Sequence, residues 1–214
     1  MKHIYCISGF GADERVFSKL TFAGYEIHFI KWLIPEKNES IGVYAKRLIQ
    51  QIHHDNPILI GLSFGGMMCI EMAKLIPVEK IVLISSIKSS RELPLWMQIS
   101  GKLKLNKIFP MRSFKLIEPL EDYNLGVETI DEKELVHLYR KNVSHQYSEW
   151  AIDNILNWKN SQVPENVFHI HGNKDRIFPL RKVKPDRIVN TGGHLMIMNR
   201  FNVVNEYINA VLNS

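Results

Sequence analysis

The chain has 214 residues, of which 45% are hydrophobic and 23% charged, and a formal net charge of +5. That length suits one domain with a substantial core, and the composition is that of an ordinary soluble globular protein. No unbroken apolar run is long enough to span a bilayer, and no nucleic-acid-binding pattern accompanies the positive charge, so neither partner is expected. The first ten residues, MKHIYCISGF, enter strand-like sequence at once, without the charged and apolar regions of a signal peptide. Cys6 and Cys69 read as small buried hydrophobes, because two cysteines make neither a disulfide framework nor a zinc spacing. A cytoplasmic location is the expectation.

Residues 3–7 read as a first strand, ending in Ser8-Gly9-Phe10-Gly11-Ala12-Asp13. Glycines at a strand's end let a loop bring its backbone N–H groups up to a ligand. Asp13 suits the N-cap of a short helix over 14–20. A second strand covers 25–30, with a loop over 32–35. Ile41, Tyr44, Ala45, Leu48, Ile49 and Ile52 recur at helical spacing, which predicts an amphipathic helix over 40–53. Ile58-Leu59-Ile60 shows no alternation, the pattern of a strand buried on both faces. It breaks at Gly61-Leu62-Ser63-Phe64-Gly65-Gly66. A largely apolar helix follows, ended by Pro77, and residues 80–85 give a fourth strand.

Residues 87–164 break this rhythm. They carry helical patterns over 93–105, 132–142 and 146–158, punctuated by Pro94, Pro110 and Pro119. The segment reads either as a packing insertion or as a small helical cap over the ligand end of the sheet. Tyr147, Trp150 and Trp158 are candidate pocket aromatics, although such spacing is more often core. Between Ser86 and Glu118 lie Lys88, Arg91, Lys102, Lys104, Lys107, Arg112 and Lys115 against two glutamates, an excess as large as that of the whole chain. A solvated helix face is the simplest use for such a run. Strands resume at 166–171 and 187–189, followed by Thr191-Gly192-Gly193-His194-Leu195 and a closing helix over 196–212. Strands alternating with helices predict one α/β domain with a mostly parallel sheet of about six strands. Its core would be residues 1–86 and 165–214, and its ligand site would lie beyond the strands' carboxyl ends.

The turn at 61–65 has the form G-x-S-x-G between a strand and a helix, which forces a serine into a strained, exposed position. A capping serine in a tight turn has the same five-residue pattern, and the flanking strand and helix favour the nucleophile. No Lys-Ser/Thr follows, which excludes a P-loop, and the glycine spacing is not that of a dinucleotide fingerprint. A serine hydroxyl needs a base within reach, and the base needs a carboxylate to fix its tautomer. Loops at one sheet edge offer Ser63, Asp175 and His194. His171 competes for the base, but it lies on the strand itself and is better placed to brace the Asp175 loop. No carboxylate lies between Ile81 and Ser90 to supply an alternative acid.

Four stretches, SGFGAD at 8–13, GLSFGG at 61–66, HGNKDRIFP at 171–179 and GGHL at 192–195, carry a resemblance. Along nearly its whole length the chain resembles the α/β-hydrolase family, and it looks like the small bacterial carboxylesterases, with a fainter similarity to pimeloyl-carrier methyl ester esterases. The resemblance implies Ser63, Asp175 and His194 as the catalytic residues, and the backbone N–H groups of Phe10 and Phe64 as the oxyanion hole. It implies no metal and no organic cofactor. The chain departs from the family in opening at what looks like its third strand, and in carrying Ser8 where a histidine often precedes the glycine. The expected function is a serine hydrolase acting on a small-molecule carboxylic ester or thioester. The alternatives are a cofactor-free perhydrolase, lyase or C–C hydrolase on the same triad, or a non-enzymatic ligand-binding module. The basic segment adds an anionic acyl carrier as an expected partner.

Overall fold

Strands without alternation need cover on both faces, and helices placed between them supply it. In the computed structural model, which describes residues 2–105 and 118–214, six strands form one sheet. They are β1 (Lys2–Ile7), β2 (Tyr25–Ile30), β3 (Ile58–Leu62), β4 (Lys80–Ile84), β5 (Val167–Gly172) and β6 (Arg187–Val189). Every pairing is parallel, in the order β2-β1-β3-β4-β5-β6. The direction of winding reverses at β1, whose neighbours are β2 on one side and β3 on the other. The loops leaving β1 and β3 therefore diverge, and such a switch point opens a crevice at the strands' carboxyl ends.

The described helices are α1 (Ile41–Leu48), α2 (Phe64–Ala73), α3 (Leu95–Lys102), α4 (Glu118–Leu125), α5 (Ile130–Asn142), α6 (His145–Leu156), α7 (Met196–Asn199) and α8 (Phe201–Leu212). None is long and apolar enough to cross a membrane. Along β1, Tyr5 and Ile7 enter a core with α1, α2 and α6, through Tyr44, Leu48, Met67, Met68, Tyr147 and Ala151. Ile4 and Cys6 face the opposite core, filled by Val16, Phe17, Met196, Ile197, Val204 and Ile208. Helix α2 is buried on all sides from Phe64 to Met72, as a helix apolar all round must be. Each fully buried side chain of this size contributes roughly 1.5–3 kcal/mol of transfer energy. Both cysteines are free and buried, and burial pushes their thiols up from the ordinary value.

Several elements differ from the sequence expectation. The helix expected over 14–20 is a single 3-10 turn, Glu14–Phe17, although Asp13 does cap it by accepting from Arg15 N. Helix α2 stops at Ala73, short of Pro77, because its last turn tightens: Lys74 N–H bonds Glu71 O and Leu75 N–H bonds Met72 O. A residue before proline is disfavoured in the α conformation, which favours an early end. Helix α4 was not expected. Its Pro119 stands in the first turn of the described helix, where a missing N–H costs nothing. The closing helix divides at Arg200, whose guanidinium is drawn to Glu128 while Asn199 donates to Gly126 O. Pro110, Lys107, Arg112 and Lys115 lie outside the described residues.

The connection between β4 and β5 is fastened to loops at the carboxyl end of the sheet. The Tyr139 hydroxyl donates to Asp13 after β1, at 3.2 Å. Gln146 donates to Pro35 O and the Trp150 indole to Glu39 O, both after β2. Leu195 N–H donates to Leu125 O at 2.9 Å, joining α4 to the loop after β6. Trp158 turns the other way, donating from its indole to the buried Glu71 of α2 at 2.8 Å, so it belongs to the core.

Candidate active site

Ser63 follows β3 directly and holds φ 52° and ψ −118°, a conformation that costs a non-glycine residue about 1–3 kcal/mol. Its surroundings fix it there. Ser63 N–H donates to Ile84 O at 2.9 Å, and the Ser86 hydroxyl donates to Ser63 O at 2.7 Å. The turn also needs bare neighbours: a Cβ on Gly61 would stand 2.5 Å from Gly66 Cα, and one on Gly65 would run into the Ile7 and Ser8 carbonyls. The helix thus starts hard against β1 and β3, and Ser63 is left half-buried at its head.

Asp175 and His194 arrive from the loops after β5 and β6. His194 Nε2 lies 2.8 Å from Ser63 Oγ, and His194 Nδ1 lies 2.8 Å from Asp175 Oδ2. The second carboxylate oxygen, Oδ1, accepts from Ile177 N–H at 2.8 Å and Phe178 N–H at 2.9 Å. Burial is the largest influence on this carboxyl and pushes its pKa up. His194, then His171 and the Phe178 N–H, outweigh it together and hold the group below its ordinary value. An ionised Asp175 can only accept, so His194 Nδ1 donates to it, which leaves Nε2 of a neutral imidazole as the acceptor facing Ser63. The sequence placed these residues 131 and 19 positions apart, and the fold joins them into one hydrogen-bonded chain.

The two residues predicted to supply backbone donors lie on segments next to Ser63. Phe64 is the first residue of α2, so its N–H has no partner within the helix. The loop carrying Phe10 passes close by, since a Cβ on Gly9 would lie 3.5 Å from Ser63 Cβ. Sequence reasoning missed what shapes that loop. Ser8, the departure from the family pattern, donates from Oγ to Ala12 O at 2.7 Å and accepts from the Trp32 indole at 2.9 Å. Trp32 stacks on Phe64 at 5.2 Å between ring centres, and Phe10 stacks on Tyr147 at 5.9 Å. Tyr147 and Trp150 therefore stand in an aromatic group beside both donor residues, unlike Trp158. Contacts between residues this far apart leave no local pattern to read. Two surface clefts, one beside Glu71 and Trp158 and one beside Ile130 and His137, border none of Ser63, Asp175 and His194.

His171 sits behind the group, fully buried, with Nε2 2.7 Å from Phe178 O and Nδ1 3.1 Å from His169 Nε2. Burial keeps both imidazoles below the ordinary value, His171 against the opposing pull of Asp175, so its 3.5 Å approach to that carboxylate is not an ion pair. This has a consequence for stability. As pH falls through about 6.5 the unfolded chain takes up protons that the folded chain refuses. The stabilisation is complete above that pH and is lost below it, by up to about 1.4 kcal/mol per pH unit for each histidine. Denaturant midpoints from pH 7.5 to 5 should fall, and His169→Phe should flatten the slope. Midpoints unchanged over that range would contradict the neutral pair.

No family model and no curated protein sequence matches the chain. Solved structures do. A thermophilic esterase from Thermogutta terrifontis superposes with a TM-score of 0.73 at 13% identity, over 100% of this chain and 90% of that one. The chain has the α/β-hydrolase fold. An esterase from Exiguobacterium antarcticum gives 0.71 at 16% identity, over 100% of this chain and 92% of that one. A meta-cleavage product hydrolase from Pseudomonas fluorescens gives 0.71 at 16%, over 100% and 91%. At these identities the shared property is the α/β-hydrolase architecture expected from the sequence. The site must be read from its own geometry.

Proposed function

We propose that the protein is a serine hydrolase that cleaves a carboxylic ester or thioester through an acyl-enzyme. The observation that carries this reading is the continuous chain from Ser63 through His194 to Asp175, both links 2.8 Å, at the head of a strained strand-to-helix turn. Ser63 Oγ attacks the substrate carbonyl carbon as its proton passes to His194 Nε2. The imidazolium so formed is stabilised by Asp175, and the negative oxygen is held by the Phe10 and Phe64 N–H groups. Collapse expels the alcohol or thiol, which takes the proton from Nε2. Water, deprotonated by the same nitrogen, then attacks the acyl-enzyme and releases the acid and Ser63. The steps need no metal or cofactor.

In this reading residues 87–164 are a cap, since their helices are pinned to the loops after β1, β2 and β6 around Ser63. The aromatic group of Phe10, Trp32 and Tyr147 favours an apolar acyl chain. Rates for p-nitrophenyl esters of increasing acyl length test the proposal. Measurable hydrolysis with a length optimum supports it, and no hydrolysis of any ester contradicts it. A second reading, a C–C hydrolase on the same residues, is favoured by the likeness to the meta-cleavage product hydrolase.

The basic segment supports a further feature of the substrate, an anionic acyl carrier. Lys102 and Lys104 are exposed at the end of α3. Exposed charges act over about 8 Å at physiological salt, so they would steer association. Lys102→Glu with Lys104→Glu should lower kcat/KM for an anionic thioester, in a salt-sensitive way, and spare a neutral ester of the same acyl chain. Equal effects on both substrates would leave the lysines as a solvated face.

A further inference from the structure

Three histidines meet at the opposite end of the sheet from Ser63. His3 stands near the start of β1, His28 in β2, and His54 in the turn ahead of β3. The parallel register sets His3 against Glu26 and Tyr5 against His28, which puts all four side chains on one face of the strand pair. His3 Nδ1 lies 3.1 Å from His28 Nε2. The Glu26 carboxylate comes within 3.5 Å of that His3 nitrogen and 3.7 Å of that His28 nitrogen. The His54 ring lies over the His3 ring with centres 3.4 Å apart, and one nitrogen from each of the three histidines falls within 4.8 Å of the others.

Tetrahedral bonds of 2.0–2.1 Å to a metal put its ligand atoms about 3.3 Å apart. His3 Nδ1 and His28 Nε2, 3.1 Å apart, are already close to that spacing, and Glu26 presents one oxygen to each, at 3.5 and 3.7 Å. A His54 nitrogen lies within 4.8 Å of a nitrogen of each of the other two histidines and makes the third imidazole ligand. Tyr5 prepares that ring: its buried hydroxyl is held by His53 N–H at 3.0 Å and stands 2.7 Å from His54 Nδ1. When Nδ1–H donates there, Nε2 is left as the ligand atom, the outer-shell arrangement that metal-binding histidines use. Among the described residues no other group of histidine, cysteine and carboxylate side chains converges in this way.

We propose that His3, His28 and His54, with Glu26, form a binding site for a divalent transition ion of the zinc class. Imidazole with carboxylate suits zinc and its neighbours and not calcium or magnesium. The three imidazoles come from β1, from β2 and from the turn ahead of β3, with Glu26 beside two of them, so the ion's role is structural. It fastens the edge strand β2 and the turn ahead of β3 to β1. The hydrolytic site is remote from it and does not depend on it.

The test uses the full chain, stripped with a chelator and titrated with zinc chloride against a chromophoric competitor. One zinc should bind per chain, and saturating zinc should raise the melting temperature by about several degrees while kcat/KM for a model ester stays constant. His28→Gln and His54→Gln should each weaken binding by about tenfold or more. His137→Gln, at an exposed histidine beside Glu118, should not. Cobalt in the unaltered chain should show the intense visible absorption of tetrahedral coordination, a readout that does not require any variant to fold. Absence of zinc binding, binding that survives both substitutions, or a weak octahedral cobalt spectrum would overturn the site.

Discussion

Replacing Ser63 with alanine is expected to remove ester hydrolysis, lowering kcat by roughly a millionfold, with the melting transition retained. In the proposed mechanism the hydroxyl oxygen is the atom that forms the bond to the substrate. What holds the turn together is backbone and glycine: Ser63 N–H to Ile84 O, Ser86 Oγ to Ser63 O, and bare Cα atoms at 61, 65 and 66. None of these involves the Ser63 hydroxyl. His194→Ala should cost about as much, and the double variant little more, because the pair acts as one unit. Turnover of a p-nitrophenyl ester with thermal melts of the same samples measures both parts. Retained turnover in Ser63→Ala would remove Ser63 as the nucleophile.

Asp175→Asn should lower kcat by about 10⁴-fold with little change in KM. The surroundings decide which way the amide points. Position Oδ1 accepts from two N–H groups, of Ile177 and Phe178, so an oxygen must stay there. The amide nitrogen is thereby turned toward His194 Nδ1, which must become an acceptor. Its proton moves to Nε2, and Ser63 loses its base. His171→Phe, which disturbs only the brace behind Asp175, should cost much less than His194→Ala. Should it prove the more damaging histidine change, the base is His171 and the proposed assignment is wrong.

Much of this architecture was legible in the sequence because it rests on local patterns. The unalternating run Ile58-Leu59-Ile60 marked a doubly covered strand, and the second and sixth strands, Tyr25–Ile30 and Arg187–Val189, fall where the apolar pattern put them. The close-packed glycines at 61, 65 and 66 announced the turn, since only a missing Cβ permits that approach. Features that depend on distant partners were not legible. Ser8 gives no hint of its bond to Trp32, nor Glu71 of Trp158. The closing helix read as one periodic segment, yet Asn199 and Arg200 are pulled apart from it by Gly126 and Glu128. The histidine cluster was hidden for the same reason. His3, His28 and His54 are about 25 residues apart and meet only through strand pairing.

The claim that Ser63 is an activated nucleophile is tested most directly by a fluorophosphonate probe. The reagent phosphonylates a serine only where a base and an oxyanion site assist it. The unaltered chain should take up one equivalent, with the modified peptide mapped by mass spectrometry to Ser63, and labelling should vanish in His194→Ala. A chain that stays unlabelled, or carries the label on another residue, would contradict the proposed mechanism.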